Sequence, residues 1–166
     1  MKLFNKICVP AALTLAMAAA VSCSDNDDEN AGWTELIKVA TYNIQYDNQS
    51  VEAGKWDNRK DLMQKMLKDC DFDIFGVQEP YKFQIDDIVS WFPEYGWVGA
   101  SISGESEKER VHYNPIFYRK DRFTVLDNGM FWYSETPDVV NSKGWDSYSV
   151  RMCNWVKFKD NRNGKI

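Results

Sequence analysis

The sequence has little histidine and little cysteine, and this scarcity excludes a zinc site built on the usual ligand spacings. One His and four Cys occur in 166 residues. Cys8 and Cys23 lie near the start of the chain, which leaves Cys70 and Cys153, too few and too far apart for a zinc-binding pattern. We therefore expect Cys70 and Cys153 to be buried as small apolar side chains.

Long apolar runs are also missing, except at the start of the chain. Lys2 and Lys6 precede an uncharged run over residues 7–22 that is rich in Ala, Leu and Val. This pattern is typical of a secretion signal, and the run is short for a membrane span, which needs about 20 apolar residues. We predict that residues 1–22 are a signal peptide, that the protein is exported, and that the mature chain has no transmembrane helix.

The residues around Cys23 indicate a lipid anchor. Ala20, Val21 and Ser22 lead directly into Cys23 and resemble a bacterial lipobox, so Cys23 is the predicted lipidation site. The alternative is an ordinary cleaved signal followed by a coincidental Cys. Residues 23–34 form an acidic flexible tether, whose acidity resembles the surface-export signal of lipoproteins in some Gram-negative bacteria. We therefore expect an outer-membrane lipoprotein that is exposed on the cell surface.

An excess of basic charge is absent as well. The chain has 20 Lys and Arg against 25 Asp and Glu, a net charge of −5, and removal of Lys2 and Lys6 with the signal peptide leaves 18 against 25, or −7. This balance argues against nonspecific, charge-driven binding to nucleic acid, although a divalent cation could reverse it locally. With 44% hydrophobic and 14% aromatic residues, the remaining residues 35–166 are sufficient for one packed domain.

A strand, a helix and a second strand follow the tether. Residues 36–43 and 73–79 have the β-branched and aromatic content of core strands. Between them, Asp57 or Asn58 is the predicted N-cap of a helix with one apolar face, formed by Leu62, Met63, Met66, Leu67 and Cys70. Strands joined by a crossover helix nearly always run parallel, so we expect Asn43 and Glu79 to lie at the same edge of the sheet.

This shared edge is where ligands collect in α/β sheets. Glu79 ends an apolar strand and is followed by Pro80, and a carboxylate in such a place costs desolvation energy unless it meets a cation or solvent. Mg²⁺ suits one or two protein carboxylates completed by waters and phosphate oxygens. Glu79 is therefore a candidate metal ligand, and the alternative is a solvated acid at the end of a strand.

The rest of the chain predicts one more helix and several strands. The helix covers residues 83–92, and its inward side chains are Ile85, Ile88, Val89 and Phe92. Strands are predicted over residues 97–102, 114–118 and 149–158. In the last of these, one face carries Val150, Met152, Val156 and Phe158, and the other carries Arg151, Cys153 and Trp155.

A hairpin is predicted between the last two of these strands. Residues 123–126 and 130–133 flank Asp127-Asn128-Gly129, and an Asn-Gly pair between such segments favours a tight turn.

Four residue strings, taken together, resemble the endonuclease/exonuclease/phosphatase superfamily of deoxyribonucleases, exonuclease III-type enzymes, inositol polyphosphate 5-phosphatases and sphingomyelinases. They are Val39-Ala40-Thr41-Tyr42-Asn43-Ile44, Asp73-Ile74-Phe75-Gly76-Val77-Gln78-Glu79, Pro115-Ile116-Phe117-Tyr118-Arg119, and Arg151 with Trp155. The resemblance implies an α/β fold (α+β in some schemes), a four-layer α/β sandwich with two mixed β-sheets. It also implies a phosphoesterase or nuclease that uses metal-activated water, with Mg²⁺ or Mn²⁺ as cofactor.

By position, the resemblance implies roles for five residues. Glu79 is similar to the family's Mg²⁺ carboxylate, and Asn43 to the residue that positions metal or phosphate beside it. Arg151 is similar to an Arg near the phosphate, where a guanidinium can grip two oxygens, although it could equally be an ordinary strand-face charge. His112 stands where many relatives have a Glu; it could bond a phosphate oxygen or be a surface-loop His. Tyr113 beside it is a candidate aromatic contact to substrate.

The resemblance also implies that catalytic parts are missing. Relatives place a further His, a Gly-Asp-x-Asn stretch and a terminal Asp-His pair beyond the position of residue 166. We therefore expect a truncated, N-terminal portion of the domain that is inactive alone.

Two functions stay open on the sequence. The first is a surface phosphoesterase acting on nucleic acid, a phospholipid head group or a sugar phosphate. The second is a noncatalytic surface lipoprotein that binds glycan or another ligand through the aromatic side chains of Trp132, Tyr133, Trp145 and Tyr148, unless these pack into the core. Neither the substrate nor the oligomeric state follows from the sequence.

Overall fold

The computed structural model describes residues 36–105 and 109–166. The predicted signal peptide, the acidic tether and Cys23 lie outside the described residues. The described elements are β1 (Val39–Asn43), α1 (Lys60–Cys70), β2 (Ile74–Gln78), α2 (Lys82–Trp91), β3 (Tyr95–Val98), β4 (Ile116–Arg119), β5 (Phe123–Trp132) and β6 (Met152–Asp160). Two 3-10 turns, Glu52–Gly54 and Trp56–Asn58, precede α1. Within these two stretches, no helix is long and apolar enough to cross a membrane.

Four strands form a mixed sheet in the order β1-β2-β4-β3. β1 and β2 run parallel, and Asn43 pairs with Gln78 at the end of their ladder. The parallel pair predicted from the strand–helix–strand pattern is therefore confirmed. β4 is antiparallel to β2 and to β3. β3 ends at Val98, earlier than predicted, and the next residue, Gly99, has a φ of +127° that leaves the extended conformation.

The apolar core lies between this sheet and the two helices. Phe75 of β2 stacks on Phe117 of β4, with ring centroids 4.8 Å apart. Helix α2 contributes Ile85 and Ile88, which are fully buried as the sequence predicts, while Val89 and Phe92 are partly buried against the same cluster.

Helix α1 has a narrower apolar face than the sequence predicts. Met63 and Leu67 are buried in the core, but Leu62 is 73% exposed and Cys70 is exposed. The helix reaches the core through a narrow stripe formed by Met63, Leu67 and the partly buried Met66. The prediction that Cys70 and Cys153 are buried is wrong, since Cys153 is only half-buried.

Helix α1 also begins later than predicted. Asp57 and Asn58 lie in the preceding 3-10 turn, and Arg59 is the N-cap, without a side-chain capping bond. The polar side chains have other partners: Asp57 accepts from Lys60 at 2.6 Å, and Asn58 donates to the carbonyl of Glu52 at 2.8 Å. The predicted cap is therefore wrong, because these groups stabilise the turn rather than the helix.

β1 is an edge strand rather than a core strand. Its one partner among the described residues is β2, and Val39 and Tyr42 are 65% and 52% exposed. Only Ala40 packs against the core cluster. Its β-branched and aromatic content fits a strand, but burial depends on what covers each face.

β5 is one continuous strand, so the hairpin predicted at residues 127–129 is wrong. Both halves of β5 pair with β6, and Leu126 is the extra residue of a β-bulge. Glycine is required at position 129 for packing and not for a turn, because an added Cβ would lie 2.9 Å from the Trp155 ring. An Asn-Gly pair looks the same in a hairpin turn and inside a continuous strand, and only the pairing with β6 shows that this one lies inside a strand.

β5 and β6 form a second sheet, an antiparallel pair. On β6, Met152, Asn154 and Asp160 are buried whereas Trp155 is 39% exposed, which confirms the predicted alternation. The second sheet contacts the first where the rings of Tyr118 and Phe158 lie 4.9 Å apart. Two sheets with helices confirm the α/β class.

A buried ion cluster joins the two sheets at the end where β2 begins. Arg122 is 1% exposed, and its guanidinium lies 2.9 Å from Asp73 Oδ1 and 3.1 Å from Asp160 Oδ2. Burial alone would raise the pKa of Asp160, but the Arg162 N–H and the Arg122 guanidinium lower it below the usual value. We call Arg122, Asp73 and Asp160 the Arg122 cluster.

Candidate functional site

The carboxyl ends of β1 and β2 bring two predicted site residues together. Asn43 is the last residue of β1, and Glu79 directly follows β2. The Asn43 Nδ2 donates a hydrogen bond to Glu79 Oε1 at 2.9 Å. The predicted meeting of these two side chains at one edge of the sheet is therefore confirmed.

The carboxamide of Asn43 is oriented from its other side. Its Oδ1 accepts a hydrogen bond from the Gln45 N–H at 2.9 Å, and Gln45 has a φ of +57°. The chain thus turns back immediately after β1, and this turn leaves the Nδ2 group facing Glu79.

Glu79 itself has a strained backbone, with a φ of +70°. The conformation is held on both sides: the Glu79 N–H donates to the Tyr113 carbonyl at 3.1 Å, and the Tyr113 N–H donates to the Pro80 carbonyl at 3.0 Å. A non-glycine residue in this region costs about 1–3 kcal/mol and persists where its surroundings over-determine it, often at functional sites.

An open cleft of about 620 Å³ begins at the Asn43–Glu79 pair. Arg151 lies on the same cleft, directly before β6, and it is exposed. Its guanidinium has no hydrogen bond or ion pair with the residues that the structure describes. The cleft therefore carries a carboxylate on one sheet and an available guanidinium on the other.

His112 and Tyr113 differ, although they are neighbours. His112 lines the cleft and stacks on Tyr46, with ring centroids 5.0 Å apart. Tyr113 is completely buried in the core, so the prediction that it faces substrate is wrong. Adjacent residues of an extended segment point to opposite sides, and only one of the two can face the cleft.

The residues present fit a magnesium ion held mainly by water and substrate. Among residues 36–105 and 109–166, no group of three or more His, Cys, Asp or Glu could enclose a metal ion. Glu79 offers one carboxylate, and one carboxylate with waters and phosphate oxygens is a common set for Mg²⁺. Asn43 already uses its oxygen with Gln45 and its nitrogen with Glu79, so its role as a direct ligand stays a prediction.

Several cleft residues escape the sequence analysis. Asn114, Asn141 and Ser149 also line the cleft, and all three lie outside regular strands and helices. Asn114 and Ser149 begin two of the predicted strands, and no motif marks any of the three as a site residue. Their place becomes visible only when the second sheet is set beside the first.

Arg59 is a supporting residue that the sequence analysis also misses. Its guanidinium donates to the carbonyls of Ile44, Gln45 at 3.0 Å and Tyr46 at 3.1 Å, the three residues that follow Asn43. Burial lowers the pKa of Arg59, and the charge of Asp47 offsets this only in part. Arg59 therefore helps to fix the segment after β1.

The four aromatic residues predicted as a ligand surface do not behave alike. Trp132 is buried, and its Nε1 donates to the Ile102 carbonyl at 3.0 Å. Tyr133 and Trp145 are 43% and 65% exposed, and Tyr148 is 98% exposed beside the cleft residue Ser149. Trp132 is thus a core residue, while the other three can meet a ligand.

Solved structures of known proteins resemble this chain. An endonuclease/exonuclease/phosphatase from Bacteroides vulgatus is 40% identical, with a TM-score of 0.71 over 77% of this chain and 48% of that one. An endonuclease/exonuclease/phosphatase family protein from Bacteroides thetaiotaomicron is 38% identical, with a TM-score of 0.71 over 77% of this chain and 45% of that one.

A third solved structure is described as a mannosyl-6-phosphatase of Bacteroides thetaiotaomicron. It is 38% identical, with a TM-score of 0.71 over 78% of this chain and 48% of that one. No known family profile matches the chain. The chain spans about half the length of these solved relatives.

Proposed function

The chain belongs to the endonuclease/exonuclease/phosphatase superfamily, and from this membership we propose that its cleft is part of a metal-dependent phosphoesterase site. The observation that carries the proposal is the 2.9 Å hydrogen bond between Asn43 and Glu79 at the cleft that also contains Arg151. Hydrolysis of a phosphate ester needs a carboxylate that holds a metal ion and a positive group that binds the phosphate oxygens. Glu79 offers the carboxylate, and Arg151 offers the positive group.

Each cleft residue has a distinct role in this proposal. Glu79 holds Mg²⁺ or Mn²⁺, and Asn43 keeps the carboxylate oriented by donating to Oε1. The bound ion would polarise a phosphoryl oxygen and lower the pKa of water. Arg151 grips two phosphate oxygens with its planar guanidinium, and His112, which also lines the cleft, hydrogen-bonds a third.

We propose a sugar phosphate as the substrate class. A relative that is 38% identical is a mannosyl-6-phosphatase, and Tyr148, which precedes the cleft residue Ser149 in sequence, offers an exposed ring for stacking on a sugar. A net charge of −5 gives little support for a long polyanion such as DNA. A nitrophenyl phosphodiester and short DNA test the phosphodiester alternatives.

Cation binding tests the site directly. We expect the chain to bind Mn²⁺ and Mg²⁺, and Glu79→Gln to weaken the affinity by tenfold or more, because the carboxylate is lost. Calorimetric titration measures this. Glu94→Gln is the matched control, since Glu94 is an exposed acid outside the cleft. Equal affinity of Glu79→Gln and wild type would contradict the metal role.

Turnover tests the chemistry. We expect the 166 residues alone to hydrolyse mannose 6-phosphate, a nitrophenyl phosphodiester and short DNA no faster than a Glu79→Ala control, with or without EDTA. The described cleft holds one carboxylate and no acid–His pair to activate water. Clear Mg²⁺-dependent turnover above the control would overturn the expected inactivity and support the phosphoesterase site.

A noncatalytic glycan-binding role is the second candidate. The exposed rings of Tyr133, Trp145 and Tyr148 favour it. Retention on an immobilised, unphosphorylated glycan separates the two functions: a glycan binder loses retention with Tyr148→Ala and keeps it with Glu79→Gln. The phosphoesterase site retains only phosphorylated ligands and loses them with Glu79→Gln.

We also propose that the protein is exported and anchored by a lipid on Cys23, on the outer face of the outer membrane. The Lys-flanked apolar run before Cys23 and the acidic tether after it support this location. Labelling with radioactive palmitate should mark the wild type and not Cys23→Ser, and surface protease should remove the protein from intact cells. Equal labelling of both proteins would exclude the anchor.

A further inference from the structure

One buried amide connects the two backbone segments that carry the site. Gln84 lies in the first turn of α2 and is completely buried. Its Oε1 accepts from the Tyr81 N–H at 3.0 Å and from the Asp47 N–H at 3.1 Å. Its Nε2 donates to the Gln45 carbonyl at 3.1 Å. All three hydrogen bonds of the amide therefore go to backbone groups.

These backbone groups follow Asn43 and Glu79 closely. Gln45 and Asp47 come two and four residues after Asn43, and Tyr81 comes two residues after Glu79. Each segment contains one residue with positive φ, Gln45 at +57° and Glu79 at +70°. Such conformations need support from their surroundings: Arg59 also bonds the first segment and Tyr113 the second, and Gln84 bonds both segments at once.

Helix capping explains only part of this arrangement. Tyr81 is the N-cap of α2, and the bond from its N–H to Gln84 completes a capping box. The bonds to Gln45 and Asp47 reach 39 and 37 residues along the chain and do nothing for the helix end. Any good N3 residue would cap the helix, but a buried side chain with both a donor and an acceptor is needed to hold the second segment.

We propose that Gln84 is a positioning residue that fixes Asn43 and Glu79 at hydrogen-bonding distance, and so prepares the carboxylate for its cation. The effect on cation binding rests on the proposed function, whereas the effect on the Asn43–Glu79 contact does not. Residues that orient metal ligands typically change metal affinity by about 10–100-fold when they are replaced.

Two substitutions separate positioning from capping. Gln84→Met removes all three bonds with a side chain of similar size. Gln84→Glu keeps the acceptor for the Tyr81 and Asp47 N–H groups and loses only the donor to the Gln45 carbonyl, so the helix start is preserved. Tyr95→Phe is the matched control, because it removes another buried hydrogen bond, from Tyr95 to the Phe72 carbonyl, outside the cleft.

The first readout is the side-chain amide resonance of Asn43 in ¹H–¹⁵N spectra of the chain without metal. We expect both Gln84 variants to shift it well beyond the change caused by Tyr95→Phe. The second readout is Mn²⁺ affinity, which we expect to fall about tenfold or more in both variants and to stay unchanged in the control.

Each outcome is decisive. If the Gln84 variants are destabilised like Tyr95→Phe but leave the Asn43 resonance in place, Gln84 is only a structural residue and the proposal is overturned. If the resonance moves while wild type binds no Mn²⁺, the positioning role stands and the proposed metal site falls. If Gln84→Met does not fold, Gln84→Glu decides alone.

Discussion

The charged side chains at the two ends of the β1–β2 pair differ in burial and in pairing. At the end where β2 begins, Asp73 and Asp160 enclose Arg122, and all three side chains are buried. At the other end, Glu79 and Arg151 lie on an open cleft, and the Arg151 guanidinium has no partner among the described residues.

This difference separates charges that hold the fold from charges that can act on a ligand. A buried and fully paired cluster has no capacity left for another molecule, and removing one member leaves the others unpaired. An exposed guanidinium and a carboxylate with one occupied oxygen cost the fold little and can still bind. The open end is therefore the place for function, and three predictions test the comparison.

The largest effect is expected for the Arg122 cluster. Arg122→Met should lower the free energy of unfolding by about 3–5 kcal/mol, because two carboxylates stay buried without their cation. Arg151→Met is the matched substitution at the open end and should change stability by less than about 0.5 kcal/mol. Urea unfolding measures both. Similar losses in the two variants would end the distinction between the two ends.

The pH dependence of stability is the next test. The pKa of Asp160 is lowered in the folded protein, since the Arg162 N–H and Arg122 outweigh the effect of burial. Its contribution is therefore complete above the unfolded value of 3.8 and is lost as pH falls through the lower folded value.

Asp160→Asn should flatten the stability profile between about pH 5 and pH 2. A slope remains, because the pKa of Asp47 is lowered too: hydrogen bonds from Trp56 and Gln49 overcome its burial. Unfolding by urea at several pH values measures the profile. If the free energy of unfolding of Asp160→Asn depends on pH as steeply as that of wild type, the Arg122 cluster is not the source of this pH dependence.

The smallest effect concerns the strain at Glu79. Glu79→Gly should raise stability by about 1 kcal/mol, since glycine adopts a φ of +70° without steric cost, and it should abolish cation binding. Asp71→Gly is the control: Asp71 ends α1 with a φ of +51°, so a similar gain should come without any effect on the cleft. Loss of stability in Glu79→Gly alone would mean that the Asn43 contact outweighs the strain.

The site was predictable where chain connection fixes geometry. The helix between β1 and β2 imposes parallel strands, and parallel strands put Asn43 and Glu79 at one edge. Patterns within one element were also informative: Ile85 and Ile88 of α2 face the core, and burial alternates along β6 as expected.

Predictions that depended on distant partners were wrong. Leu62 and Cys70 have the spacing of a helix face, but only Met63, Met66 and Leu67 reach the core, and Leu62 and Cys70 are exposed. The Asn-Gly pair at residues 128–129 has a turn signal, but β6 pairs along the whole of β5. Tyr113 stands beside a cleft residue, yet its side chain fills the core.

The sequence by itself determined that two parallel strands bring an amide and a carboxylate to one edge, because a strand, a crossover helix and a second strand nearly always form a parallel pair. Only the tertiary structure decided that Arg151 and His112 share that cleft, that Tyr113 does not, and that Gln84 and Arg59 hold the cleft's backbone. The physical reason is range: helical and strand periods are local, whereas burial and hydrogen bonding across segments depend on groups that lie tens of residues apart.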